Sequence, residues 1–345
     1  MRIVWPPHVP DELLSSYLAR IAIAYGISSH KLMALHAPGF QVWTRDVDVC
    51  ASDALLERLT YPSGRSLQML YGLTLGEWNA VTRRTCDPPQ GVYHWINSMG
   101  VYHRTRLRHG LAFCPECLEE NGAYLRQWRL SFWTVCPLHQ RVLQDACPYC
   151  GAVVQPHRHG FDLRRCWHCN RFLTTCVTAA MRALPLQSFL FRCLMYPSSE
   201  IEFNGHCCSG AEVLWGSDVL LQALKPVCRT LGMGPERGLR IELRRVPDRH
   251  ADMELLSHLL GLGPAGLVAM GESMEVTQRC FRQQMPPWIK LLAEQLSAGR
   301  VNRGPKSNRA ELRSAGEAQR KRVSGWREMR ADVLFKMIGR SNEYR

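Results

Sequence analysis

Between residues 114 and 169 the chain repeats one short pattern four times: Cys114-Pro115-Glu116-Cys117, Cys136-Pro137-Leu138-His139, Cys147-Pro148-Tyr149-Cys150 and Cys166-Trp167-His168-Cys169. Eighteen residues separate the first two pairs and fifteen the last two. A two-residue spacer lets both side chains of a pair reach one ion, while amides of the turn hydrogen-bond the thiolates. Two such knuckles ~15–20 residues apart complete a tetrahedral zinc site. The spacing assigns a Cys₃His set (Cys114, Cys117, Cys136, His139) and a Cys₄ set (Cys147, Cys150, Cys166, Cys169). An interleaved pairing uses the same eight ligands in different groups, and His168 could replace a cysteine of its own knuckle. Both ions have four protein ligands available, whereas a catalytic zinc keeps one position open. A zinc deaminase needs His-x-Glu and Pro-Cys-x-x-Cys. Here Ala146 precedes Cys147, and His-x-Glu occurs nowhere. The two expected ions are therefore structural, and no catalytic residue is assigned.

With 345 residues the chain can hold two or three domains that bury cores of their own, so zinc supplements packing locally. Fifteen cysteines would suggest disulfides in a secreted protein. The N-terminus, Met1-Arg2-Ile3-Val4-Trp5-Pro6-Pro7, lacks the apolar core of a signal peptide, and no run of about 18 apolar residues could span a membrane. Metal-bound thiolates in a reducing cytoplasm fit better, with no membrane as partner.

Seven thiolates and two Zn²⁺ would lower the formal charge of +13 to about +10. The distribution is uneven. Residues 177–299 carry 12 basic and 12 acidic groups, whereas residues 300–345 carry 13 and 5. A basic tail of this kind neutralises phosphates with little sequence preference; the plain alternative is a solvated tail that aids solubility. Arg303, Lys306 and Arg309 lie in its first part. A second basic stretch, from His103 to His109, includes Arg104, Arg106 and Arg108 and reads as an edge strand or arm with a phosphate patch, or as a solvated face.

Residues Asp11 to Tyr25 predict an amphipathic helix, with Leu14, Leu18, Ile21 and Tyr25 at three- and four-residue steps and Asp11 at the N-cap or first turn. Gly26 permits a left-handed turn, and Ser28 or Ser29 can cap a second helix bearing Leu32, Met33 and Leu35. Helix, short glycine-containing turn, helix is the helix-turn-helix arrangement, although many helical hairpins never touch DNA. If it is one, Ser29, His30 and Lys31 open the groove-facing helix. Further helices are expected over 53–61 and 66–84, with Ser66 to Trp78 reading as another helix, turn, helix. Gly91 to Gly100 reads as an aromatic-rich loop. Trp128, Leu130, Phe132 and Trp133 pack the zinc segment against its neighbours, or stack bases if exposed. From Met181 the pattern is helical again, with breaks near Pro197 and Gly205 and helices over 217–233, 252–262 and up to Leu296. The turn at Gly263-Pro264 offers a second helix-turn-helix unit. Beyond a basic linker at 299–309, Trp326, Met329, Val333 and Met337 mark a terminal helix.

The span from Pro10 to Cys169 resembles the TniQ family of transposon target selectors. The resemblance is carried by Asp11-Glu12-Leu13-Leu14-Ser15-Ser16-Tyr17-Leu18-Ala19-Arg20, by Phe113-Cys114-Pro115-Glu116-Cys117, by Trp128-Arg129-Leu130, and by Val135-Cys136-Pro137-Leu138-His139. Leu143 to Gly151 continues it. The resemblance implies a bacterial, non-catalytic adaptor that recognises a target and contacts an AAA+ ATPase regulator of transposition and, in some members, a CRISPR effector complex. Nothing quotable matches residues 177–345.

The expected fold is mainly α. Residues 1–110 form a helical helix-turn-helix domain, 111–176 a tandem zinc ribbon module with short strands, 177–299 a helical domain, and 300–345 a basic tail with a terminal helix. The expected function is a zinc-binding transposition adaptor that meets DNA and an ATPase regulator, with a homodimer as one assembly open to a helix-turn-helix protein. No Gly-x-x-x-x-Gly-Lys-Ser/Thr loop is present, so ATP hydrolysis is not expected of this chain. The rival from another class is a stand-alone zinc-finger transcription regulator. A metal-dependent nuclease is a third reading; it would need an open metal position and a base such as His103 or His109.

Overall fold

The computed structural model describes residues 5–82, 92–99, 111–158, 160–175, 185–230, 240–273, 276–281 and 284–298. The architecture is mainly α. The N-terminal helices are α1 (Leu14–Ala24), α2 (Ser29–His36), α3 (Val47–Cys50), α4 (Asp53–Ser63), α5 (Leu67–Gly72) and α6 (Asn79–Thr82). The cysteine-rich segment holds α7 (Pro115–Asn121), β1 (Val135–Cys136) and β2 (Arg141–Val142). The remainder holds α8 (Pro185–Met195), β3 (Glu200–Phe203), β4 (His206–Ser209), α9 (Gly210–Thr230), α10 (Val246–Gly261), α11 (Gly263–Ser273) and α12 (Pro287–Glu294). No single helix among the described residues is long and apolar enough to cross a membrane.

The first helix starts at Leu14, not at Asp11, and its cap comes from a distance. Asp11 has a φ of 57°, a left-handed turn that sends the following backbone against the zinc segment. There Leu13 N–H donates to the Tyr124 carbonyl (2.9 Å) and Arg126 N–H to the Asp11 carbonyl (2.7 Å). The open N–H of Ser15 is taken by Oδ1 of Asp48, at 2.7 Å, from the neighbouring α3. A buried carboxylate 33 residues away therefore does what the local aspartate was expected to do. The turn at Gly26 is left-handed as expected, and Ser28 caps α2 by accepting from Lys31 N–H. Leu32 and Met33 are buried, whereas Leu35 is exposed.

The helix, turn and helix expected over 66–84 are α5, a bend and α6. Between α5 and α6, Leu75 N–H donates to the Asp48 carbonyl (2.7 Å), and a single 3-10 turn spans Gly76–Trp78. The chain bends there to bury Leu75 and Trp78 against the centre.

Two cores result. One is N-terminal, built from Trp5, Leu14, Tyr17, Leu18, Ile21 and the apolar faces of α2, α4 and α5. The other runs through residues 93–99, the cysteine-rich segment and the C-terminal helices together. Helix α1 is their shared wall: Leu14, Leu18 and Ile21 face the first core, and Leu13 and Ala19 the second. The aromatic-rich loop is core rather than surface, with Tyr93, Trp95, Ile96 and Met99 all buried. Trp128, Leu130, Phe132 and Trp133 are likewise buried, which removes them as base-stacking platforms.

The C-terminal half contains a hairpin where only helix breaks were expected. Strands β3 and β4 pair antiparallel, Phe203 opposite His206, around Asn204 (φ 51°) and Gly205 (φ 76°). Two consecutive positive φ angles define the type I′ turn, for which Asn-Gly is the favoured pair. The expected second helix pair exists as α10 and α11, turned through 116° at Leu262.

Candidate metal centres

Each knuckle is placed by a local device that follows from its sequence. Pro115 occupies the first turn of α7, where its missing N–H costs nothing, so Cys114 and Cys117 lie at one helix start. Cys136 ends β1, and the tight loop to β2, with Gln140 at φ 48°, points His139 back at the cysteines. The other two knuckles are built alike. Cys147 N–H pairs with the Ala152 carbonyl and Cys166 N–H with Arg171 (both 2.8 Å), and Gly151 and Asn170 take left-handed conformations just after the second cysteine. Gly151 N–H closes on the Cys147 carbonyl at 2.8 Å, and Asn170 N–H on Cys166 at 2.9 Å.

These devices bring the eight side chains into two sets, Cys114/Cys117/Cys136/His139 and Cys147/Cys150/Cys166/Cys169. Within each set the ligand atoms all lie within 4.8 Å of one another. The sets are sequential, not interleaved, and the exposed His168 belongs to neither. In the first, Cys117 Sγ is 3.6 Å from Cys136 Sγ, and His139 Nδ1 is 3.6 Å from Cys114 and Cys136 and 3.2 Å from Cys117. In the second, Cys147–Cys169 and Cys150–Cys166 are each 3.6 Å apart. A disulfide would need about 2.05 Å. Around zinc, bonds of ~2.3 Å to sulfur and ~2.0–2.1 Å to nitrogen give tetrahedral edges of about 3.8 Å (S···S) and about 3.5 Å (S···N). The observed spacings match those edges, so the residues present fit a tetrahedral divalent ion in both places.

The surroundings support ligation. His139 offers Nδ1 to the sulfurs while Nε2 lies 3.0 Å from Glu120 Oε1, the outer carboxylate that fixes a ligating imidazole. Left as thiols, the first set divides its protons unevenly: hydrogen bonds from Cys114 and Cys117 hold Cys136 down at about 2. Cys114, bonded to Cys117 and Cys136, is pushed well up. In the second set burial pushes Cys147 up to about 12, while the Arg171 amide holds Cys169 down at about 7. A cation at the centre favours the thiolate at every position.

A third group, His94, Asp218 and Glu242, also gathers ligand-type atoms. His94 Nδ1 is 3.1 Å from Asp218, and Glu242 accepts from Trp95 N–H at 3.0 Å. Here the positive charge is already supplied, because the Arg240 guanidinium lies 3.2 Å from Glu242 and 3.3 Å from His94. This cluster is a salt-bridged joint between residues 93–99, α9 and the 3-10 turn Ile241–Leu243.

Of the residues expected to contact nucleic acid, His30 and Lys31 are exposed at the start of α2. Ser29, expected beside them, is buried, and its carbonyl accepts from Trp43 Nε1 at 3.1 Å. Arg104, Arg106, Arg108, Arg303, Lys306 and Arg309 lie outside the described residues. Sequence reasoning missed the outer-shell Glu120, for which the acidic pair after Cys117 was a usable signal. It also missed the His94 joint, whose members are too far apart in the chain to signal each other.

Fold and site together define a mainly helical protein with two sets of four side chains at its centre, each able to hold a metal ion. The TniQ family model, of a family whose members are non-catalytic adaptors of transposition, matches residues 3–143 of the chain. The match includes the whole first ligand set and stops before the second. No curated protein matches the chain.

Proposed function

We propose that this chain is a zinc-binding adaptor in DNA transposition. It holds one zinc ion in each ligand set, recognises a target (DNA itself or a DNA-bound targeting complex) and recruits an AAA+ ATPase regulator, and through it the transposase. The observation that carries the reading is the family match over residues 3–143 together with a ligand set inside it whose four positions all come from the protein. Such a set leaves no position for substrate, which supports holding and positioning over chemistry. Zinc in this role fixes the course of the chain between α1, which the knuckle segment braces, and the C-terminal helices that share its core.

His30 and Lys31 on α2, Arg104, Arg106 and Arg108, and Arg303, Lys306 and Arg309 are proposed phosphate contacts, on the strength of their charge and of the helix pair to which the first two belong. The test is to sequence insertion sites in cells carrying the transposon with and without this protein, alongside affinity capture of the ATPase regulator by the purified chain. Loss of site preference together with capture is expected. Unchanged insertion sites, or a chain that controls transcription and captures no regulator, would favour the stand-alone regulator instead.

A further inference from the structure

The second metal ribbon carries a surface that the reading above does not use. Residues 147–175 hold four arginines and one carboxylate. That carboxylate, Asp162, is taken by Arg164 at 2.9 Å. Among the described residues the other three arginines form no ion pair; each lies instead over an aromatic ring. Arg158 covers Trp167 (4.9 Å to the ring centroid), Arg165 covers Phe172 (3.6 Å) and Arg171 covers Tyr149 (4.8 Å). The ring under Arg158 is itself anchored, since Trp167 Nε1 donates to the Val153 carbonyl at 2.9 Å.

Stacking occupies the flat face of a guanidinium and leaves its rim of N–H donors available, already oriented. Arg165 uses one of these donors on the Asn170 carbonyl (3.1 Å). A Cys₄ set holding Zn²⁺ would carry a formal charge of −2, and a guanidinium rim is the fork that binds phosphate. Because the three rings are covered by guanidinium, they offer edges to a backbone rather than bare faces to unstacked bases. That favours duplex over single strands.

The ribbon is also fixed next to α2. His157, the neighbour of Arg158, is buried with its ring stacked on Trp43 at 5.2 Å and 5.8 Å from the His30 ring. The exposed start of α2, with Lys31, thus lies beside the ribbon turn that carries Arg158.

We propose that Arg158, Arg165 and Arg171, together with Lys31, form a phosphate-binding face for duplex DNA. This inference rests on the reading that the chain meets DNA directly, and the test separates the two. Full-length protein, checked for two zinc ions, is titrated against a short fluorescent duplex over 50–200 mM salt. Replacing three phosphate-contacting cations should weaken binding by roughly tenfold or more at the low end, and make the log K against log salt slope shallower by about 2.7, at ~0.9 per contact. The variant is Arg158→Gln/Arg165→Gln/Arg171→Gln. If it loses zinc, Lys31→Gln/Arg158→Gln, which keeps Arg165 and Arg171 in place, carries the test with an expected change of about 1.8. Wild-type protein that binds no duplex overturns both readings. Wild type that binds while the variant matches it in affinity and slope overturns the ribbon face alone. A variant that keeps duplex binding but loses the ATPase regulator assigns the face to a protein and likewise overturns it.

Discussion

Arg129 sits between two carboxylates, 1% exposed, with Asp48 at 0% beside it. Its Nη1 donates to Asp48 at 3.0 Å and its Nη2 to Asp46, while Nε and Nη2 also reach the Asn97 carbonyl. Asp48 in turn holds Ser15 at the start of α1 through N–H and Oγ, at 2.7 and 2.8 Å. One buried cation thus ties α1, α3, residues 93–99 and the cysteine-rich segment. Removing one partner of such a set strands a buried charge, so Arg129→Ala should cost about 3–5 kcal/mol of unfolding free energy. Arg129→Lys keeps the charge but not the fork, and should recover only part of that. Burial, the largest influence, raises the Asp48 carboxyl to about 6 despite Arg129. Unfolded, it ionises near ~3.9. The folded state therefore binds the extra proton between those values, and this contribution to stability falls as pH rises from about 4 to about 6, then stays level. Denaturant titrations at pH 4.5, 5.5 and 7 check both effects, and Asp48→Asn should flatten the pH trend; a wild-type curve that rises through that window would contradict the assignment.

At the scale of elements, the knuckles were the most legible part of the chain because their devices are local. A Cys-x-x-Cys turn with Gly151 or Asn170 behind it needs nothing from elsewhere to point two sulfurs at one place. The prediction that belongs here is metal loss. Cys147→Ser should lower bound zinc from two ions to one per chain, and Cys114→Ser should do the same at the other set. Each would forfeit folding free energy of order 10 kcal/mol. Cys147, Cys166 and Cys114 are all buried in the core that continues into the C-terminal helices, so protease cleavage should appear beyond the knuckles themselves. Metal analysis and limited proteolysis measure this, and a variant that still holds two zinc ions would argue against the ligand sets.

Other elements were legible only in part. Helices α1, α4 and α9 followed their apolar spacing, but α1 starts at Leu14 rather than Asp11 and α9 at Gly210 rather than Ser217. Asp11 was a plausible cap by sequence and lost that role to Asp48, whose position no local pattern can announce. The bend after α5 has the same origin, a backbone bond to Asp48 across the fold. The β3–β4 hairpin was a different kind of miss. Asn204-Gly205 is a strong turn signal, but Gly205 reads equally as a helix break until Glu200 to Phe203 is seen to pair with His206 to Ser209. The ribbon arginines were missed for lack of a helix or strand to place them; their partners Trp167, Phe172 and Tyr149 become evident only when the two knuckles close.

Taken whole, the molecule has its cysteine-rich segment at the meeting of two cores, with formal charge concentrated elsewhere. The last 46 residues hold 13 basic and 5 acidic groups, a surplus of eight, whereas residues 177–299 balance at 12 and 12. Non-specific DNA affinity depends on how many phosphates are neutralised, because each contact releases condensed counterions and steepens the salt dependence by ~0.9. If the tail supplies most of those contacts, truncation after Ala298 should flatten the salt slope by more than the loss of the three ribbon arginines does. It should leave zinc content at two per chain, since all eight ligands lie between residues 114 and 169. Combining truncation with the ribbon substitutions should then add the two losses of slope, as expected for separate phosphate contacts on one duplex. The comparison requires the same duplex and the same salt series for all four proteins. A truncated chain whose slope equals that of the full chain would place the electrostatic contact on the folded body, and a slope that falls no further in the combined variant would place tail and ribbon on the same phosphates.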